Sequence, residues 1–200
     1  QSLKTRAYWI LVVAQACHAL VGPVLFVHAI PFLTDMGIDP LKAAVMMAGM
    51  SASIIPGMFI GGIITDHLKV GQLRLVMAGA YLLEAIGITV FLLDQTIITV
   101  YPFFILVNFG LGIGVPLNSI LRARYFGRKA FGSIRGTSMM LTSFVGAIAP
   151  IYAGWVYDNT GSYITAFIVF AILLGVSTVV MGFATPPKPP VEVTDIRSIT

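Results

Sequence analysis

The chain has 200 residues and a net charge of +4; 58% of its residues are hydrophobic, only 10% are charged, and its mean hydropathy is +0.94. Soluble domains carry about a quarter charged residues, so this composition excludes one and places the chain in a bilayer. The positive balance would suit nucleic acid in a soluble protein. Here the cations sit in short loops beside apolar runs, where anionic lipid headgroups account for them, and no nucleic-acid partner is expected.

Taken in order, the apolar stretches run from Ala7 to Leu33, Leu41 to Thr65, Leu73 to Leu93, Ile97 to Leu121, Ala130 to Trp155 and Tyr163 to Ala184. Each reaches the ~20 residues that a helix needs to cross about 30 Å of hydrocarbon. An all-α membrane protein of six transmembrane helices joined by short polar gaps follows, with no room for a soluble domain. The stretch from Ala7 is too long for the h-region of a cleavable signal peptide, and the chain opens on Gln1 rather than Met. It therefore reads as a piece of something longer. Cys17 is the one cysteine and lies in an apolar segment, as a packed thiol without an internal disulfide partner.

Orientation comes from the basic residues. Arg122, Arg124, Arg128, Lys129 and Arg135 crowd the gap between the fourth and fifth stretches, which marks that gap as a cytoplasmic loop. The same choice puts the N-terminus, the gap from Asp66 to Arg74 and the C-terminal tail inside, and of the twelve Lys and Arg only Lys42 falls outside. The expected product is an integral plasma (inner) membrane protein with both termini cytoplasmic. Residues 1–185 form the half-bundle, and residues 186–200, opening on a Pro-rich run, form an extended, disordered cytoplasmic tail.

The chain also echoes itself. Pro56, Gly61 and Asp66 descend the second stretch in the order in which Pro150, Gly154 and Asp158 descend the fifth. The first and fourth share glycine-proline breaks, Gly22-Pro23 and Gly114-Val-Pro116, while the third and sixth have no proline. Two inverted three-helix repeats, a device of secondary transporters, give this pattern; the general frequency of Gly and Pro in membrane helices is the plainer source.

Four segments carry a family resemblance. Gly62-Ile-Ile-Thr-Asp66-His-Leu-Lys69-Val-Gly71-Gln-Leu-Arg74 resembles the loop signature of the major facilitator superfamily. His67 stands there in place of the usual arginine, and the spacing to Gly71 is longer by two. Tyr125 to Gly136, Gly154 to Tyr163 and His28 to Gly37 resemble loops of that superfamily's C-terminal half, in the branch of monocarboxylate and oxalate/formate exchangers. The resemblance implies half of a twelve-helix transporter with alternating access, whose partners are a missing N-terminal six-helix half, a small-molecule substrate and the lipid bilayer. It also implies that the first, second, fourth and fifth helices border the central cavity while the third and sixth face lipid.

Uncharged polar residues at membrane depth are the candidate substrate contacts: Gln15 and His18, three apart on one helical face, Asn108 and Asn118 among the glycines of the fourth helix, and Ser138 and Thr142 of the fifth. Ser138, Thr142, Gly146, Pro150 and Gly154 also form a small-residue packing stripe, the readier role for the last three. His18 is the candidate for proton coupling because imidazole changes charge near neutral pH; a neutral histidine bonded within the bundle fits as well. Glu84, a carboxylate inside the third helix, is either protonated and bonded to a neighbour or part of a proton path. His28 lies ~15 Å along the helix from His18, so the two form no metal pair.

Asp66 ends its helix where the macrodipole disfavours a negative charge. It is a candidate gate that meets the N-terminus of the fifth helix and the group Arg124, Arg128 and Arg135 when the cytoplasmic side closes; a solvated loop residue is the plain alternative. Carboxylate exchangers of the branch hold their anion with an arginine in the second helix and often a lysine in the fifth. Here Ile55-Pro-Gly-Met58 occupies the first place and no cation is expected within the fifth span, which argues against a monocarboxylate unless the other half supplies the charge. No metal motif, Gly-x-Ser-x-Gly or paired carboxylates mark an enzyme, and no cofactor is expected. The function that follows is secondary active transport of a small polar or organic-anion solute, with a proton as candidate co-substrate; the alternative is a non-transporting scaffold on the same fold.

Overall fold

Lipid offers no hydrogen-bond partners, so apolar runs of this length must satisfy their backbones internally as helices. The computed structural model describes residues 5–127 and 131–186. Helix α1 (Arg6–His18) and α2 (Val21–Asp35) form the first span, and α3 (Pro40–Ser51) and α4 (Ile54–His67) the second. They are followed by α5 (Val70–Asp94), α6 (Ile97–Phe126), α7 (Phe131–Thr160) and α8 (Ile164–Gly182). The described residues thus contain six helical spans long and apolar enough to cross a membrane, as the composition requires.

Local chemistry sets the ends. The Thr5 hydroxyl accepts from the Tyr8 amide at the start of α1. Asp39 Oδ1 accepts from the amides of Leu41 and Lys42 at the start of α3, where Pro40 fills the position whose amide is unused anyway. Pro23 and Pro56 explain why two spans are split. Neither offers an N–H to the carbonyl four residues back, and α1 and α3 stop at that turn, Ala19 and Ala52. The expected break at Gly114-Val-Pro116 does not occur: α6 runs unbroken through Pro116, held between α4 and α5 along its length. Likewise α7 is continuous through Pro150.

One boundary corrects the sequence reading. The fourth span reaches Phe126 instead of Leu121, because the buried stripe of Leu117, Leu121 and Tyr125 carries the helix on. Helix α7 already runs at Phe131, so Arg135 lies within it; the start expected at Ala130 falls outside the described residues. Arg122, Arg124 and Arg135 are therefore helical residues, not loop residues, and the fifth span does carry a cation. Arg128, Lys129 and the tail from residue 187 lie outside the described residues.

Packing follows the expected inverted repeat. α4 packs on α6 as α7 packs on the first span; α1 packs on α8 as α6 packs on α5; and α5 packs on α8. Exchanging spans one and four, two and five, and three and six leaves this set of neighbours unchanged, the arrangement that two inverted three-helix units produce. At the Asp35/Asp94 end, Phe32, Phe91, Phe103 and Phe167 interlock, with Phe91 stacked on Phe103 at 5.5 Å and Phe32 edge-on to Phe91 at 5.1 Å. At the other end Leu73, Met77, Tyr81, Leu117 and Leu121 close the core. The α4–α6 crossing is made by glycines: a Cβ on Gly112 would stand 3.0 Å from Gly57 Cα, and one on Gly61 would stand 2.7 Å from the Ile113 carbonyl oxygen.

Candidate functional site

The break after α1 and the facing side of α6 border an open cavity of about 510 Å³, a size suited to a small organic ligand. Its walls come from the first, second, fourth and fifth spans, with Met77 of α5 as the one contribution from the third and none from α8. Of the candidate substrate contacts, Gln15, His18, Asn118 and Thr142 line it. So do Arg122 and Arg135, which the sequence reading placed in a loop.

Arg122 is the chief correction. Its position four residues after Asn118 puts the two on one face of α6, and the side chain turns into the bundle, only 6% exposed. The guanidinium donates to Gln15 Oε1, and Gln15 Nε2 donates to Asn118 Oδ1. A buried cation is thus held by uncharged groups on α1 and α6. Among the described residues the one ion pair is His18 with Glu84, so no carboxylate there meets the charge of Arg122. The Asn118–Arg122 spacing was the sequence signal for it, hidden by ending the apolar stretch at Leu121.

His18 and Glu84, proposed separately from sequence, are brought together. His18 Nε2 is hydrogen-bonded to Glu84 Oε1 at 3.1 Å and lies 3.0 Å from Oε2. Glu84 is fully buried against Gly110, where a Cβ would stand 2.6 Å from Glu84 Cγ. The imidazole stacks on Tyr81, ring centroids 4.5 Å apart and planes 27° from parallel. The same contact serves two placings of one proton: an imidazolium donating to a carboxylate, or a carboxyl donating to a neutral imidazole.

Two candidates do not join the cavity. Asn108 donates to the Phe104 carbonyl at 2.8 Å and lines only a narrow crevice beside Gly22 and Phe26; ten residues of α6 set it ~15 Å from Asn118 along the axis. Ser138 is buried where α7 crosses α1, its hydroxyl 3.5 Å from that of Tyr8. Gly146 and Gly154 pack toward Ala19 and His28. Pro150 offers its carbonyl to His28 Nε2 at 3.0 Å, leaving His28 Nδ1 to accept from the Tyr163 hydroxyl at 3.1 Å. Burial, reinforced by the nearby Asp35, pushes the Tyr163 phenol above its usual range.

The gate residues are arranged differently from expectation. Arg124 reaches the carbonyls of Thr65 and Leu68, each at 3.1 Å, and so caps the end of α4. Asp66 is exposed, with no ion pair among the described residues; Arg128 lies outside them, and Arg135 lines the cavity. Because Asp66 sits in the last turn of α4, Asp66→Asn removes an unfavourable charge–dipole contact. It is expected to raise thermal stability by about 0.5 kcal/mol, and a fall in melting temperature would show that the carboxylate holds a stabilising partner.

Comparison with known proteins agrees with this architecture. The sequence matches the model of the Major Facilitator Superfamily over residues 5–199. It is 27% identical over 165 residues to Monocarboxylate transporter 12 of Rattus norvegicus, covering 82% of this chain and 34% of that protein. It is 25% identical over 149 residues to Monocarboxylate transporter 13 of the same organism, covering 74% and 35%. With the uncharacterized transporter YycB of Bacillus subtilis (strain 168) it shares 25% identity over 154 residues, covering 76% and 37%. The chain spans about a third of the length of the curated relatives it matches. In structure it is similar to the POT family transporter PepTSo, with a TM-score of 0.68 at 19% identity over 92% of this chain and 39% of that one, a likeness of fold. Six membrane-length helices packed as paired three-helix units, together with a family match over almost the whole sequence, establish that the chain belongs to the Major Facilitator Superfamily.

Proposed function

We propose that the chain is one six-span half of a secondary transporter that moves a small organic anion together with a proton by alternating access, with a second six-span half closing the cavity. The observation that carries this reading is Arg122, a buried cation on the cavity wall whose visible partners are uncharged. Burying a charge without a counter-ion is expensive, and a guanidinium fork matches a carboxylate. The relatives named monocarboxylate transporters fit the same class of cargo. The second-span arginine of carboxylate exchangers is absent here, and the end of α6 supplies a cation in its stead.

Charge balance supplies the coupling. Counting Arg122 and the His18–Glu84 pair alone, with Arg135 at the cavity mouth assigned to the gate, the empty cavity with the pair lacking its extra proton sums to zero. With anion on Arg122 and a proton on the pair, the sum is again zero. Anion alone or proton alone leaves a net charge in a low-dielectric cavity, at a cost of several kcal/mol. Only the empty and the doubly loaded forms then cross readily between inward and outward states, which is symport. We place the end bearing Arg74, Arg124 and Asp66 in the cytoplasm, in the plasma membrane, with Asp66, Arg124 and Arg135 at the gate on that side.

Counterflow of labelled pyruvate, lactate and related monocarboxylates by the full-length gene product in proteoliposomes tests the reading; no exchange of any of them would leave a scaffold role. Uptake is expected to rise as external pH falls, and His18→Gln to flatten that dependence. Wild-type uptake indifferent to pH would end the coupling mechanism.

A further inference from the structure

The cavity carries charge at one end only. Arg122 and Arg135, the two arginines that line it, stand near the connection between α6 and α7, beside Gln15 and Asn118. Along α6 the lining continues through Ser119, Val115 and Gly114 to Leu111, roughly 16 Å up the axis from Arg122. Pro23 and Phe26 of α2 and Ile54 of α4 complete that far part. Phe26 is 65% and Val115 53% exposed, apolar surface that the half-bundle leaves uncovered on the cavity wall. The polar groups nearby are already engaged: His18 is bonded to Glu84, and the Thr142 hydroxyl donates to the Ser138 and Met139 carbonyls at 3.0 and 3.2 Å. Past Thr142 a contiguous groove of about 560 Å³ continues along α7 between Leu111, Gly146, Ala147 and Pro150, and among the described residues no Lys, Arg, Asp or Glu lines it.

We propose that the cargo is a monocarboxylate with an apolar alkyl or aryl tail, its carboxylate on Arg122 and its tail along Val115, Leu111 and Phe26. The proposal rests on the anion reading above and narrows the cargo within it. A carboxylate is held best by a guanidinium, and the cavity offers one at a single pole. Beyond that pole the walls present apolar area and few unspent hydrogen-bonding groups, so each methylene laid on them leaves water at a gain. A second carboxylate or a run of hydroxyls would lie there without partners from this half, and burying such groups unpaired is costly. A short acid such as lactate, held at Arg122, ends well before Leu111 and uses little of the wall.

Titration calorimetry on the purified full-length protein, with propanoate, butanoate, hexanoate, lactate and phenylpropanoate as probes, tests this. The same titrations on Arg122→Ala subtract partition of the acids into detergent. Affinity is expected to rise about threefold per added methylene, about thirtyfold from propanoate to hexanoate, and phenylpropanoate to bind about tenfold more tightly than lactate. Val115→Asn puts an amide into the apolar wall and is expected to cut the hexanoate-to-propanoate affinity ratio about tenfold. Val115→Thr, of nearly equal volume, is expected to move the ratio the same way by about threefold, and it serves as the readout where Val115→Asn fails to fold. Affinities within about threefold of one another across the series would overturn the proposal and leave the anion reading intact, the apolar wall then being contact surface for the second half. A wild-type ratio in a folded Val115 variant would overturn it as well, by putting the tail elsewhere. Should none of the acids bind in a manner that Arg122→Ala abolishes, the anion reading fails and the proposal falls with it.

Discussion

Arg122→Ala is expected to weaken anion binding about 100-fold while leaving the half-bundle folded. Truncating one member of a buried, charged hydrogen-bonded pair costs ~2–5 kcal/mol, and about 3 kcal/mol corresponds to two decades in affinity. The same change removes a cation from a low-dielectric site in which its visible partners, Gln15 and through it Asn118, are neutral. Replacing a buried charge by an apolar group is often neutral or stabilising, and the loss of one hydrogen bond to Gln15 sets the cost at about 1 kcal/mol. Arg122→Met, which keeps most of the volume, should therefore unfold at nearly the wild-type temperature while failing to bind. Arg122→Lys keeps the charge without the planar fork and should fall between, about tenfold weaker than wild type. Titration of purified protein with a monocarboxylate panel and a thermal melt separate the two effects. Affinity within threefold of wild type in Arg122→Ala would make the arginine a structural element and remove the basis of the anion assignment.

Gly112→Leu is expected to do the reverse, destroying the fold with no direct effect on cavity chemistry. A Cβ at Gly112 runs into the Ile54 carbonyl and comes within 3.0 Å of Gly57 Cα. Both obstacles are backbone, so no side-chain rotation relieves them, and α4 must lift from α6. The second span has the smallest buried share of the six, 17% of its most apolar window, so little else holds it. Overpacking costs ~1–3 kcal/mol and more where backbone must move; at about 3 kcal/mol the melting temperature falls by roughly 10 °C. Gly175 on α8 has open space around its Cα, and Gly175→Leu is the control that should behave as wild type. Equal melting temperatures for the two variants would mean that the α4–α6 crossing is looser than the glycines imply.

The two predictions draw on different kinds of information. Much of the fold was legible in the chain: apolar runs of membrane length, and the break at Gly22-Pro23 in the first span; the break expected at Gly114-Val-Pro116 is absent and the second span is split at Pro56 instead. Run length and the first break are local properties, fixed by backbone hydrogen bonding in lipid and by the geometry of proline. The family resemblance was legible as well, because loop signatures are short contiguous segments. Of the candidate substrate residues, Gln15, His18, Asn118 and Thr142 reached the cavity, while Asn108 and Ser138 turned into helix contacts. Helical spacing says which residues share a face, but not which neighbour that face meets.

What the sequence by itself determined is that this chain crosses a bilayer six times, since hydrophobic length acts within each segment; that the six spans are two related triplets was suggested by the sequence and decided by the packing. What only the tertiary structure decided is the site. Arg122 reads as a loop cation until Leu117, Leu121 and Tyr125 bury the end of α6 and turn it inward. His18 and Glu84, 66 residues apart, become one hydrogen-bonded pair only because the fold brings the side chains of α1 and α5 within reach of each other. The reason is physical: the energy of a charge at membrane depth is set by what lies across the interface from it, and that neighbour is chosen by long-range packing, which no local window of sequence records.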